Sequence, residues 1–354
     1  MKGLILAGGL GKRLRPLTHA GPKQLIPIAN RPVLHYVIED LVASGISDIG
    51  IIVGYSTERI NAIKDACGDG SKWGAKITYI EQDAPRGLAH AVWTARDFLG
   101  HDSFVMYLGD NIISGGIGKF VKEFEASHAD ASLLLAKSRT PERFGVAEIK
   151  ENRIINVEEK PARPKSDTVI VGVYIFRPVI MKYINGLKPS ARNELEITHA
   201  IQELLAGGGK VFHHIISGWW DDTGTGEDVL HANEMILSTI KSHNAGTIEQ
   251  GAVVQGAVEI GKGTVIRNGA KIIGPVKIGD NCTIINACIG PYTSVGDSSE
   301  IISGTVESSI VMSSCVIDIG TKKISGSLLG KNSKIRNGKN IMKLMIGEDS
   351  EISV

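Results

Sequence analysis

Aromatic residues make up only 5% of the 354-residue chain, so no stacking platform for nucleic acid is expected. Charge of one sign is also missing. The formal net charge is +1, which excludes a global pull toward polyanions or an anionic membrane. Any anion site must therefore be local. No apolar run is long enough to span a bilayer, and no basic stretch with an apolar core and cleavage site opens the chain. A cytoplasmic protein with no membrane partner and no nucleic-acid partner is expected. The four cysteines, Cys67, Cys282, Cys288 and Cys315, form no CxxC pair and have no metal-ligand spacing, which suits small thiols in a reducing compartment. Histidine is absent from Asn244 to Val354, which argues against a histidine-based acyl transfer in that region.

Glycine, by contrast, is abundant at 42 residues and sits at the ends of apolar runs. GLILAGG, DIGIIVG, KITYIEQ and FVMYLGD read as strands. RPVLHYVIEDLVASG, STERINAIKDAC and GLAHAVWTARDFL read as helices between them. This alternation predicts a mostly parallel sheet covered by helices on both faces. Ligands of such sheets bind at the carboxyl ends of the strands, where AGG, IEQ and LGD fall. FGVAEIKENRIINVEEKP reads as a hairpin turning at Glu151 and Asn152, TVIVGVYIF as a strand, and ELEITHAIQELLAG and GEDVLHANEMIL as helices.

After KSHNAG the period changes. Ile248, Val254, Ile260, Ile266, Ile272, Ile278 and Ile284 recur every sixth residue, each preceded at two positions by a small or apolar residue. A short strand step repeated every six residues predicts a parallel β-helix. The phase slips near Gly290 and weakens after Glu307, with Ile346 and Ile352 back in step. The expected organisation is a domain over 1–240, a linker at 241–245 and a hexapeptide-repeat domain over 246–354.

The opening, MKGLILAGGLGKRLRPLT, places Gly8, Gly9 and Gly11 after the first strand with Arg13 close behind. A dinucleotide fingerprint fails here, because the third glycine and the acidic residue ending the second strand are missing. A Walker A loop fails because GKR is not GKS or GKT. A bare backbone able to approach phosphates remains, with Arg13 as a forked donor and Lys23 as a second cation. Asp110, ending FVMYLGD, is a candidate Mg²⁺ ligand, as is Asp222 in GWWDDTGT; Asp221 would face solvent. In VEEKP, strand alternation separates Glu158 from Glu159 and turns Glu159 toward a ligand.

Together LAGGLGKRLRPLT, PKQLIPI, IEQDAPRGLAHA, YLGDN, RFGVAEI, VEEKP, GVYIF, ELEIT and WWDDTGT, in this order over about residues 1–240, resemble the sugar-1-phosphate nucleotidylyltransferases. Within that family the repeat tail most resembles the long form of the glucose-1-phosphate thymidylyltransferases. The resemblance implies a three-layer α/β/α nucleotide-binding domain followed by a left-handed parallel β-helix. It implies transfer of a nucleotidyl group from dTTP, or UTP, to glucose 1-phosphate with Mg²⁺. On this likeness Gly8, Gly9 and Gly11 form the nucleotide-phosphate loop, and Gln82 pairs with the pyrimidine edge beside Gly87. Arg13, Lys23 and Lys160 handle phosphate charge, and Asp110 and Asp222 hold the metal. Gly145, Glu159, Lys160, Ile170, Gly172 and Trp220 form the sugar-phosphate site. A homo-oligomer is expected from the exposed faces of a β-helix. A bifunctional uridylyltransferase/acetyltransferase and a non-catalytic nucleotide-sugar sensor are the competing expectations.

Overall fold

The computed structural model describes residues 1–19, 21–54, 56–336, 341–342, 345–348 and 351–353. They divide into two compact units, Met1–Gly9 with Leu34–Asp222, and Leu10–Val33 with Thr223–Val354.

The first unit is built on strand β1 (Lys2–Leu6), whose apolar run is buried from Gly3 onward. It pairs in parallel with β2 (Asp48–Val53) on one side. Strand β3 (Lys76–Glu81) extends the sheet beyond β2, and β4 (Phe104–Leu108) pairs with β1 on its other side, again in parallel. Helices α1 (Val33–Ala43), α2 (Thr57–Cys67), α3 (Leu88–Thr94) and α4 (Arg96–Leu99) connect these strands. Leu4 and Leu6 enter a core with Ala89 and Val92 of α3. On the opposite face, a side chain at Gly3 would meet Leu41 of α1 at 2.9 Å, so glycine is what lets α1 lie close. Alternation along one strand thus buries both faces and makes three layers. The segment GLAHAVWTARDFL, expected as one helix, is broken at Ala95 into α3 and α4.

Beyond β4 the sheet becomes mixed. The later elements are β5 (Ile112–Ile113), α5 (Gly118–Ala126), β6 (Ala131–Lys137), β7 (Gly145–Lys150), β8 (Arg153–Glu159), β9 (Thr168–Phe176), α6 (Ile180–Asn185), α7 (Ile197–Ala206), β10 (Val211–Ile215) and β11 (Trp220–Asp221). Every residue of β9 is buried, and the strand runs antiparallel to β4, β6 and β7. The β7–β8 hairpin turns at Glu151 and Asn152, with φ of +50° and +59°, the left-handed pair that suits strand twist. Strand β6 was not legible in advance: six of its seven residues are buried, so no alternation marks it.

In the second unit, Gly11 (φ +63°) opens a 3₁₀ turn at Lys12–Leu14, and another follows at Lys23–Leu25. Helix α8 (Gly226–Leu237) starts with a reciprocal cap between Thr225 and Asp228. Buried Asn233 of α8 accepts from the Ala29 amide at 2.8 Å and the Ser294 hydroxyl at 3.0 Å, and donates to the Tyr292 carbonyl. One side chain thereby joins residues 10–33, α8 and the coils that follow.

Those coils are short parallel strands stacked at fixed register, a left-handed β-helix. Ile260 lies beside Ile278, then Val295, Val311, Leu329 and Ile346. Ile266, Ile284, Ile301, Ile317 and Ile335 form a second ladder. These residues share one core. Ile248 opens the repeat but is 40% exposed, because no coil precedes it. The slip near Gly290 has a simple cause. Val265 pairs with Thr283, eighteen residues on, whereas Lys271 pairs with Cys288, seventeen on; the turn at Ile285–Asn286 is one residue short. His243–Asn244, expected within a linker, already pairs with Glu259–Ile260. Ile346 is buried, and the Ile352 side chain lies outside the described residues.

Candidate active site

In the first unit the candidate residues converge at strand ends and at a two-stranded ribbon. Gly8, just past β1, has the Gln82 Oε1 atom 3.0 Å from where a Cβ would stand. Gln82 directly follows β3 and is buried, with its amide oxygen beside the Gly8 backbone. Gly87 takes φ +104°, and any side chain there would strike the Leu195 backbone at 2.5 Å. The Leu195 amide donates to the Arg86 carbonyl, and its own carbonyl accepts from Ala89. The loop before α7 is thus bonded to the loop after β3.

Asp110 and Asn111 follow β4 and lead into β5. Strand β11 pairs antiparallel with β5, Trp220 opposite Ile113 and Asp221 opposite Ile112. Continuing that register one step sets Asp222 level with Asn111 and one residue from Asp110. Two carboxylates separated by more than a hundred residues in sequence therefore share one ribbon end. Asp110 is buried; Asp222 is half-buried with Arg143 Nη2 at 3.9 Å. Asp221, expected to face solvent, is half-buried too.

Asn111 is the residue that the sequence reading overlooked. It is buried, its Nδ2 donates to Asp110 Oδ1 at 3.1 Å, and its Oδ1 accepts from the Gly172 amide (3.2 Å) and from Trp220 Nε1 (2.6 Å). A register shift in β9 between Ile170 and Tyr174 takes Gly172 out of the ladder with β6, and a side chain at 172 would collide with the Asn111 amide at 2.6 Å. The Trp220 ring meets Phe144 edge-on at 5.1 Å, next to Gly145.

Gly145 is equally hemmed in: Thr198, Ile170 and Glu159 all lie within 3.4 Å of its absent Cβ. Glu159 accepts from the Thr198 hydroxyl at 3.2 Å and stands 3.7 Å from Lys160 Nζ and 3.4 Å from Arg192 Nη1. Burial pushes the Glu159 carboxyl above its ordinary range, against the opposing pull of Lys160. Its neighbour Glu158 is exposed. Lys160 itself is held at φ +43°, a left-handed conformation uncommon outside glycine. Arg192 also pairs with Glu194 and with buried Glu196, a cluster carried by the ELEIT segment, whose charges gave no earlier sign of meeting Glu159.

The second unit carries the remaining candidates. Gly11 packs against Thr18, whose hydroxyl donates to the Gly11 carbonyl at 2.8 Å, and against Lys23, whose Cβ would lie 3.0 Å from a Cβ at 11. Only glycine allows the loop backbone to run beside Lys23. Arg13 lies on the 3₁₀ turn and is exposed. The glycine cluster is thereby divided, Gly8 and Gly9 with the first unit and Gly11, Arg13 and Lys23 with the second.

A mixed α/β sheet with glycines at its first strand end, aspartates at one end of a ribbon and a half-buried glutamate beside a lysine gathers carboxylates and a cation around bare backbone. The family model described as nucleotidyl transferase matches residues 2–239, and the chain belongs to that family. It is 44% identical over 359 aligned residues to the glucose-1-phosphate thymidylyltransferase of Streptomyces antibioticus, covering 100% of this chain and 99% of the relative. It is 42% identical, over the full length of both, to the low-salt glycan biosynthesis nucleotidyltransferase of Haloferax volcanii. A solved Bacillus anthracis chain, assigned as a glucose-1-phosphate thymidylyltransferase and complexed with sucrose, is 40% identical with a TM-score of 0.64, covering 69% of this chain and 98% of that one. Among the described residues no helix is long and apolar enough to cross a membrane.

Proposed function

We propose that this chain transfers a thymidylyl group from dTTP to glucose 1-phosphate, releasing pyrophosphate and forming dTDP-glucose. The observation that carries the reading is Asn111. One buried amide ties Asp110 to Gly172 and Trp220, so the metal-ligand candidate and the sugar-lining candidates belong to one hydrogen-bonded network.

In this reading the sugar sits beside Gly145 and Gly172, whose lack of side chains lets Glu159 and Asn111 pack close to the backbone, with Ile170 and Trp220 as walls. Glu159, oriented by Thr198 and Arg192, accepts from sugar hydroxyls. Gln82 and Gly87 receive the base. A phosphate oxygen of the sugar phosphate attacks the α-phosphorus in line, the new P–O bond forms, and pyrophosphate leaves with the electron pair of the broken bond. The attacking oxygen is already anionic near neutral pH, so no base is needed. The obstacle is repulsion, about 4 kcal/mol per unit pair at ~4 Å and an effective dielectric of ~20. Within the first unit Lys160 offsets it, and binding holds the reactants aligned.

The donor set at the ribbon fits Mg²⁺. Two carboxylate oxygens are hard donors, and among the described residues no group of three or more His, Cys, Asp or Glu forms a closed metal cage. Asp110 and Asp222 would hold the ion, which when bound supplies positive charge to phosphate oxygens. The runner-up, a non-catalytic sensor, would lack one of these groups, and all five of Arg13, Lys23, Asp110, Lys160 and Asp222 are present.

The test is pyrophosphate release from glucose 1-phosphate with dTTP or UTP and Mg²⁺. Turnover with dTTP, and with UTP within a thousandfold, is expected, since a methyl pocket is worth only about 1–3 kcal/mol. No release with any nucleoside triphosphate and any hexose 1-phosphate would leave the sensor reading in its place.

A further inference from the structure

Behind the base-binding candidate Gln82 stands His90, on α3. Gln82 Nε2 lies 2.9 Å from His90 Nδ1, and His90 Nε2 lies 3.4 Å from Asp83 Oδ1. A carboxylate only accepts, so the Asp83 carboxylate beside Nε2 favours the tautomer that carries its proton there. A neutral imidazole has one donor and one acceptor nitrogen, so Nδ1 accepts. The atom of Gln82 that faces Nδ1 must then be its NH₂, and Oε1 points the other way, toward the Gly8 backbone. The hydrogen-bond network, and nothing in the amide itself, decides which end of Gln82 is which.

That choice has a chemical consequence. One N–H of Gln82 is spent on His90, leaving Oε1 and the second N–H. A thymine or uracil edge offers an N3–H donor beside a carbonyl acceptor. A cytosine edge offers the reverse, an N3 acceptor beside an amino donor. For a base held in one place, turning the Gln82 amide over exchanges one preference for the other. We propose that His90 is a specificity-determining positioning residue, which locks the Gln82 amide in the orientation that accepts thymine or uracil and rejects cytosine. This deepens the functional reading above and rests on its placement of the base at Gln82.

The lock requires a neutral imidazole. Protonated His90 donates from both nitrogens and turns the Gln82 carbonyl toward itself. Burial depresses the tendency of His90 to protonate, as does Arg86, while Asp83 opposes them. Asp83 and Arg86, bonded to each other on the loop before α3, are the charged groups that face it. The lock therefore holds at neutral pH and opens only on acidification.

The experiment measures kcat/KM for dTTP and dCTP, each with glucose 1-phosphate, in the full chain and in His90→Leu, His90→Gln and Gln82→Ala. Leucine removes the acceptor, and the dTTP/dCTP ratio should fall at least tenfold, with KM for glucose 1-phosphate as the internal reference. Glutamine can offer its carbonyl to Gln82 and its amide to Asp83, so it should recover most of the ratio. In the unaltered chain the same ratio should fall as pH drops from 7.5 toward 5.5, which cancels effects common to both nucleotides. A ratio within twofold of the starting value in His90→Leu and across that pH range, with the ratio lost in Gln82→Ala, overturns the role of His90 alone. A ratio unchanged in Gln82→Ala overturns the placement of the base, and the proposal with it.

Discussion

The first unit and the coiled part of the second bury polar groups in opposite ways. In the coils two buried hydroxyls repeat one local solution: Thr264 donates to the Gly279 carbonyl and accepts from the Cys282 amide, and Ser299 does the same with Met312 and Cys315. Each links only adjacent coils, and the aliphatic ladders between them carry the packing. In the first unit the buried polar groups are unique. Asn111 spends its amide on three elements at once, and Glu159 gathers a threonine, a lysine and an arginine from separate segments. Repetition gives stability that is nearly a sum of neighbour terms. A single network gives a site, and it fails as a unit.

That contrast can be broken most forcefully at the ribbon. Asp110→Ala and Asp222→Ala should each lower kcat by about a thousandfold with Mg²⁺, in line with the loss of a preorganised charge-stabilising group. The thermal midpoint should fall more in Asp110→Ala, which leaves the buried Asn111 Nδ2 without that acceptor, than in Asp222→Ala at a half-buried position. Unchanged turnover in the double variant would remove the metal reading altogether.

A smaller but sharper test compares one substitution at two places in the coils. Ile278→Ala removes a fully buried rung and should cost about 2–5 kcal/mol by denaturant unfolding. Ile248→Ala, at the exposed first rung, should cost less than about 1 kcal/mol, since little apolar area leaves water there. Equal costs would mean that the ladder does not carry the stability of the coils.

The smallest effect concerns a polar pair beneath the site. Asp40 of α1 accepts from the Tyr107 hydroxyl at 2.9 Å, and burial pushes its carboxyl up to about 6 despite that bond. A carboxyl that protonates more readily folded than unfolded favours the folded state at low pH. That advantage is lost as pH rises from about 4 through 6. At pH 7.5 Asp40→Asn, which keeps an acceptor for Tyr107 without the charge, should raise stability by about 1–2 kcal/mol. The gain should vanish near pH 4, as measured by urea unfolding at the two pH values. A destabilised Asn variant at pH 7.5 would show that the ionised pair is worth more than its burial costs.

How much was legible in advance follows the same contrast. The six-residue period announced the β-helix because every coil must place side chains inward on a neighbour of equal length, and the slip at Gly290 marked a shortened turn. Strand β6 was silent because a strand buried on both faces has no alternation. The glycines at 8, 11, 145 and 172 were named, but not what stands where their side chains would be. Asn111 lay inside the quoted YLGDN, yet its partners are 61 and 109 residues away. Arg192, two residues before the quoted ELEIT, was not singled out, because its partner Glu159 is 33 residues away.

By itself, then, the sequence determined the local elements, the period of the coils and the kinds of group able to handle phosphate. Those depend on side-chain spacing within a few residues, which the chain states directly. Only the tertiary structure decided which distant groups share a hydrogen bond: that Asp222 comes level with Asn111, that Arg192 reaches Glu159, and which way the Gln82 amide faces. Such contacts are set by sheet register and by competition for donors and acceptors in a buried space, and neither is encoded in any short stretch of residues.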